Sequence, residues 1–190
     1  MTKSRYPLIV VSAPSGAGKS SLVARAIADF PVLVDSISYT TRSQREGEQD
    51  GNPYIFVSPE KFEELIQQGF FVEWAKVHGK YYGTPRYQVD EALAQGKFLI
   101  MDVDVKGAHT FRGLYPNATF IFILPPSIDE LRRRLERRDR GRTQDLELRM
   151  KNAQAELKEA DKFEFQLVNS DFEQSYQAFK KIIEEVTRKR

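Results

Sequence analysis

Short unbroken apolar runs alternate along this chain with longer stretches in which apolar residues recur every three or four positions. The runs predict strands over 6–12, 32–38, 98–103, 119–124 and 165–169. Several lack apolar–polar alternation, as parallel strands covered on both faces do. The periodic stretches predict helices over 19–29, 85–95, 105–115, 127–140, 145–162 and 172–189. Strand and helix taking turns is the mark of a layered α/β fold around a parallel sheet. Start signals support the helices: Ser127 stands three residues before Glu130 as a capping box, and Asp171 is placed to cap the last helix.

Two stretches break this rhythm. From 39 to 84 the chain reads as a polar, glycine-containing loop, a strand over 54–57, a helix from Ser58-Pro59 to Gln68, and strands over 70–77 and 80–83. Ser58 as N-cap with Pro59 in the first helical position is a helix start. The expectation is a small α+β insertion, 39–84, in a core formed by 1–38 and 85–190. The second stretch, 137–144, is dense in charge and separates two helices.

Composition narrows the function classes. The 190 residues suit one domain with insertions. There is no cysteine, and the two histidines, His78 and His109, have no partner at ligand spacing. Disulfide scaffolds and cysteine zinc sites are excluded, and a histidine-built metal site is not expected. Lys and Arg number 29 against 27 acidic residues, a net charge of +2. That balance argues against a partner of the nucleic-acid polymer type. No apolar run approaches the roughly 20 residues of a membrane span, and 8–11 is too short for a signal peptide. No membrane partner and a cytoplasmic location are therefore expected.

The strongest chemical signal is Ser12-Ala13-Pro14-Ser15-Gly16-Ala17-Gly18-Lys19-Ser20-Ser21. It follows an apolar strand and opens a helical pattern, the context of a P-loop. Small residues let consecutive backbone N–H groups curl around phosphate oxygens, and the helix directs its positive end at them. Lys19 is placed to reach the β- and γ-phosphates of a nucleoside triphosphate and Ser20 to ligate Mg²⁺. Ala13 replaces the usual first glycine; Pro14 holds its predecessor extended, a conformation alanine adopts without strain. The fold class expected is thus a three-layer P-loop NTPase with a parallel core sheet.

Other candidates read two ways on their own. Arg42 and Arg45 fit a solvated charged turn or a guanidinium pair for a phosphomonoester. Tyr54 and Tyr82 fit plain strand aromatics, and Glu73 beside Trp74 fits a surface glutamate. Asp102, ending an apolar strand, fits a Walker B carboxylate or a helix cap. A GTPase would fit Asp104-Val105-Lys106-Gly107, but no asparagine here is followed by lysine as its base-reading motif requires.

Taken together, the P-loop, Ser38-Tyr39-Thr40-Thr41-Arg42-Ser43-Gln44-Arg45-Glu46-Gly47-Glu48, Gly51-Asn52-Pro53-Tyr54-Ile55-Phe56, Phe71-Val72-Glu73-Trp74-Ala75, Gly79-Lys80-Tyr81-Tyr82-Gly83-Thr84 and Met101-Asp102-Val103-Asp104-Val105-Lys106-Gly107-Ala108 closely resemble guanylate kinase, of the bacterial type. The likeness runs on through Arg134-Leu135, Arg138, Arg149-Met150 and Ala153-x-x-Glu156 to Val168-Asn169. It implies a nucleoside monophosphate kinase transferring the γ-phosphoryl group of ATP to GMP or dGMP. In the insertion, Arg42, Arg45, Tyr54 and Tyr82 would hold the GMP phosphate, and Ser38, Glu73, Thr84 and Asp104 would read guanine. A carboxylate suits that base, whose N1–H and N2–H₂ are adjacent donors. Residues 13–21 and Asn169 would bind ATP, and Ser20 and Asp102 the Mg²⁺. Arg138 and Arg149, from a short lid at about 137–149, would act with Lys19 and Arg42 on the transferring group, with Arg134 assisting. The seven arginines between Arg132 and Arg142 otherwise read as a solvated helix face, and the departing lid sequence from Asp139 leaves Arg140 and Arg142 without assigned roles. The contrasting expectation is a protein-interaction module of the same family without catalysis. The last helix shows no clear interface stripe, so a homo-oligomer stays open.

Overall fold

The computed structural model describes residues 6–45, 47–77, 79–138 and 146–188, the side chain of Arg138 excepted. Five strands form the core sheet: β1 (Leu8–Ser12), β2 (Leu33–Asp35), β8 (Phe98–Asp102), β9 (Thr119–Leu124) and β10 (Phe165–Val168). Their order is β10-β9-β1-β8-β2 and every pairing is parallel. Alternate residues of these strands feed two apolar layers. Ile9, Val11, Ile100, Ile121 and Ile123 pack under α1 (Lys19–Asp29) and α7 (Phe172–Arg188). Leu8, Val10, Leu99, Met101, Phe120 and Phe122 pack under α3 (Arg86–Gln95) and α4 (Val105–Leu114). With both faces covered, the strands carry no polar alternation, which is why they read as unbroken apolar runs. The α/β three-layer expectation holds.

The chain continues from β1 to one side of the sheet and later to the other, so β1 lies between β8 and β9. Ligands of open α/β sheets bind beyond the strand carboxyl ends at such a switch point. Ser12, ending β1, and Asp102, ending β8, stand there.

A second sheet is built from β3 (Tyr39–Thr40), β4 (Gln49–Asp50), β5 (Pro53–Phe56), β6 (Phe71–Val77) and β7 (Lys80–Pro85), in the order β4-β5-β3-β7-β6. It is mixed, with β6 and β3 antiparallel to β7. Helix α2 (Pro59–Gln67) starts as expected, the Ser58 hydroxyl accepting from Lys61 N–H, and buries Phe62 against Phe71 with ring centroids 4.5 Å apart. Val72 of β6 belongs to the α3–α4 layer, so the second sheet shares the main core.

Several boundaries differ from the expectations. The strand expected over 32–38 ends at Asp35, because the following residues peel away: Ile37 N–H turns to the Gln88 side chain and the Ser38 carbonyl accepts from Ile55 in the second sheet. The stretch expected as loop contains β3 and β4, each only two residues long and too short to carry a period. Pro85 completes β7 rather than opening α3. The single helix expected over 145–162 is α6 (Leu146–Leu157) followed by a 3₁₀ turn, Ala160–Lys162, which brings Ala160 and Phe163 into the core. Helix α5 is Ile128–Arg138, its start capped by Ser127, which accepts from Glu130 N–H; the Glu130 carboxylate turns to Arg134 instead of closing the box. Asp171 caps α7 as expected, accepting from Gln174 N–H. Residues 139–145, the body of the expected lid, lie outside the described residues. No helix among the described residues is long and apolar enough to cross a membrane.

Candidate functional site

A cleft of about 1480 Å³ opens at the switch point and runs between the two sheets. Its floor is the turn between β1 and α1, where Ala13, Pro14, Ser15, Gly16, Gly18, Lys19, Ser20 and Ser21 all line it. Gly18 takes φ of +87° at the mouth of α1, and a side chain there would run into the amide of Asn169. Ala17 does not line the cleft: it is buried, and its carbonyl accepts from Asn169 Nδ2 at 2.8 Å. Asn169, itself buried at the end of β10, therefore braces the loop as well as lining the cleft.

Lys19 Nζ lies 2.5 Å from Asp102 Oδ1 and donates to the Val103 carbonyl at 2.6 Å. Ser20 Oγ donates to Asp102 Oδ2 at 2.5 Å. The helix-cap reading of Asp102 is excluded, since the cap of α4 is Asp104, whose Oδ1 accepts from Gly107 N–H at 2.7 Å. The hydroxyl and carboxylate of Ser20 and Asp102 are hard oxygen donors converging at the loop mouth, a donor set that fits Mg²⁺.

On the opposite wall stand Ser38, Arg42, Arg45, Tyr54 and Tyr82. Pairing of β3 with β5 and β7 brings Tyr54 and Tyr82 together, ring centroids 5.8 Å apart, and Arg42 lies over the Tyr54 ring at 5.3 Å. Two guanidinium groups and two phenols on one wall form a donor set matched to a phosphomonoester.

Glu73 comes from β6 and is buried rather than on the surface. Its Oε1 accepts from the Thr84 hydroxyl at 2.8 Å across the β6–β7 pairing. Thr84 does not line the cleft; it stands behind Glu73 and orients it. The other carboxylate oxygen lies over Gly107 in the first turn of α4, where a Cβ would come within 2.8 Å. Burial pushes the Glu73 carboxyl up to about 7, with the Asp104 charge adding to the rise and the Thr84 hydroxyl opposing it. A buried acceptor of this kind discriminates strongly between a base edge offering donors and one offering a lone pair.

Arg149 reaches from α6 to the loop, donating to Ser15 Oγ at 2.9 Å. Arg138 ends α5, and its side chain lies outside the described residues. Arg134 lines the cleft and donates to Glu130 at 3.0 Å and to the Asn169 and Ser170 carbonyls at 3.0 and 3.3 Å, tying the segment after β10 to α5. The cleft also includes residues with no role expected from sequence, among them Glu130, Arg137, Glu156, Ser170 and Phe172. Glu156 follows Arg149 by seven residues on α6, two helical turns along one face, a spacing legible in the sequence. Burial and the Asp104 charge push the Glu156 carboxyl up to about 7 as well.

Comparison with known proteins bears on what this cleft serves. The family model described as guanylate kinase matches residues 5–186. A guanylate kinase of Bdellovibrio bacteriovorus is 52% identical over 179 residues, covering 94% of this chain and 97% of that protein. One from Francisella tularensis is 45% identical over 183 residues, covering 94% and 96%. The crystal structure of guanylate kinase from Anaplasma phagocytophilum superposes with a TM-score of 0.77 at 31% identity, over 96% of this chain and 87% of that one. A shikimate kinase from Bacteroides thetaiotaomicron, at 14% identity and a TM-score of 0.50, shares the fold alone.

Proposed function

The chain belongs to the guanylate kinase family, and from that membership we propose which of its residues carry the reaction. It is an ATP:GMP phosphotransferase, moving the γ-phosphoryl group of ATP to GMP to give ADP and GDP. A non-catalytic interaction module, the contrasting expectation, is not favoured.

The observation that carries the residue assignment is the single cleft joining a P-loop to a buried carboxylate and a pair of arginines. Within residues 13–21 the ATP phosphates are held through backbone N–H groups, apart from Pro14, which has none, and the buried Ala17, whose N–H donates to the Pro14 carbonyl; Asn169 fixes the loop's shape. Lys19 exchanges its contact with Asp102 for phosphate oxygens. Arg42, Arg45, Tyr54 and Tyr82 hold the GMP phosphate. Glu73, oriented by Thr84 and flanked by Ser38 and Asp104, accepts the N1–H and N2–H₂ donors of guanine. dGMP, with the same base and phosphate, is accepted on this reading.

Ser20 and Asp102 are the residues that would hold Mg²⁺, which when bound supplies charge neutralisation at the phosphates. The acceptor phosphate is already ionised, so no general base is required. Catalysis rests on placing donor and acceptor in line and on positive charge from Lys19, Arg42, Arg138 and Arg149. The insertion, 39–84, closes on the core when both nucleotides bind, excluding water that would hydrolyse ATP. The cytoplasm is the compartment this reading implies. Phosphorus NMR following GDP formation from ATP and GMP, with wild type beside Lys19→Ala, tests the assignment: the variant is expected to form GDP far more slowly.

A further inference from the structure

Arg42 and Glu48 form a bidentate pair, Nη1 to Oε2 and Nη2 to Oε1, both at 2.9 Å. Nη1 also donates to the Ser43 carbonyl at 2.8 Å. These bonds use both Nη1 protons and one on Nη2. Among the described residues the other edge of the guanidinium, Nε–H with the remaining Nη2–H, has no hydrogen-bond acceptor. That edge is itself a two-donor fork of the geometry that grips two phosphate oxygens.

Glu48 does more than neutralise one arginine. Its Oε2 also accepts from the Arg45 backbone N–H at 2.8 Å, and the Arg45 carbonyl accepts from Glu48 N–H at 3.1 Å. The same carboxylate thus fixes the Arg42 side chain and the backbone that launches Arg45. The Arg42 guanidinium lies over both the Tyr54 and Phe56 rings, 5.3 and 5.4 Å from their centroids. Its side chain is 12% exposed and that of Glu48 17%, so the pair is largely shielded from solvent. Hydrogen bonding from Arg42 holds the Glu48 carboxyl below the usual carboxylate range, which keeps the pair charged at neutral pH. Arg42, Arg45 and Tyr54 line the cleft, whereas Glu48 does not.

We propose that Glu48 is a positioning residue for the phosphomonoester: it occupies one edge of Arg42, sets the spacing to Arg45, and leaves the Nε/Nη2 fork presented for the GMP phosphate. The proposal rests on the reading of Arg42 as a GMP phosphate ligand. Without Glu48, the guanidinium loses its bidentate anchor and must be ordered anew each time GMP binds, an entropic cost that falls on GMP alone.

Steady-state kinetics with each nucleotide varied at saturating partner test this on Glu48→Ala, the near-isosteric Glu48→Gln, Arg42→Ala and the double variant. Glu48→Ala is expected to lower kcat/KM for GMP by about tenfold or more while KM for ATP stays within about twofold. Glu48→Gln, with one acceptor oxygen and no charge, is expected between wild type and Glu48→Ala. The Arg42→Ala/Glu48→Ala variant is expected to lose less toward GMP than the product of the two single losses, because the glutamate acts mainly through Arg42, leaving only its hold on the Arg45 backbone to be lost in addition. Equal rises in both KM values, losses that multiply in the double variant, or GMP kinetics within twofold of wild type in both Glu48 variants overturn the proposal. Arg42→Ala with unchanged GMP kinetics overturns the phosphate-site reading beneath it, a distinct result.

Discussion

The carboxylate of Glu73 occupies the space that a side chain on Gly107 would need, Oε2 lying 2.8 Å from the position of a Cβ there. The base-reading wall and the first turn of α4 are therefore fitted to each other through a missing methyl group. In an isolated helix, alanine is favoured over glycine by about 1 kcal/mol. In this protein Gly107→Ala forces Glu73, anchored by Thr84, out of place. The expected outcome is a KM for GMP raised by about tenfold or more with KM for ATP little changed, read by steady-state kinetics.

Removing the carboxylate charge acts on recognition and stability in opposite directions. Glu73→Gln substitutes an N–H₂ donor for one acceptor, so its preference for GMP over AMP should fall by about a hundredfold or more in competition assays.

The stability effect follows from the raised carboxyl. A buried acid with its folded value at about 7, against 4.5 unfolded, binds protons more tightly when folded. Stability from this group is therefore greatest at low pH, falls as pH rises through that interval, and is fully lost above about 7. Glu73→Gln removes the penalty, so the unliganded variant should gain on wild type by up to about 3 kcal/mol at pH 8 and by far less at pH 5. Urea unfolding of both proteins at the two pH values measures it.

Lys19→Ala takes away the ammonium group now lying against Asp102. Loss of a transition-state donor lowers turnover by ~10²–10³, and a kcat within tenfold of wild type would remove Lys19 from the catalytic set.

Asn169→Ala leaves the buried Ala17 carbonyl without its side-chain donor. A cost of about 1–3 kcal/mol in unfolding free energy is expected, with KM for ATP rising more than KM for GMP, because the loop it braces holds only ATP phosphates.

The P-loop was legible in the sequence because backbone curvature around a phosphate dictates its residue types, and the structure places Gly18 where only glycine fits. The core strands were legible because both their faces are covered. The opposite wall was not legible residue by residue: Glu73 gains its role by burial, and nothing adjacent in sequence signals that Thr84 or Gly107 will face it. Local spacing likewise could not say that Asp104 rather than Asp102 caps α4, nor that Arg134 turns inward to the 169–170 carbonyls while Arg132 pairs with Glu147 on the surface. The family likeness supplied those cleft residues that pattern alone left ambiguous. Glu48 stands within the stretch that carries the likeness, yet neither pattern nor likeness gave it a role, since an ion pair behind a site is set by the fold of the loop that carries it.

Guanine-directed phosphoryl transfer is tested most directly by the ADP released from ATP by the wild-type protein when GMP, dGMP, AMP or UMP is the acceptor. A P-loop facing a buried glutamate that reads guanine predicts rapid release with GMP, release with dGMP, and kcat/KM for AMP and UMP lower by roughly 10⁴. ADP release independent of GMP, or AMP serving as well as GMP, would contradict it.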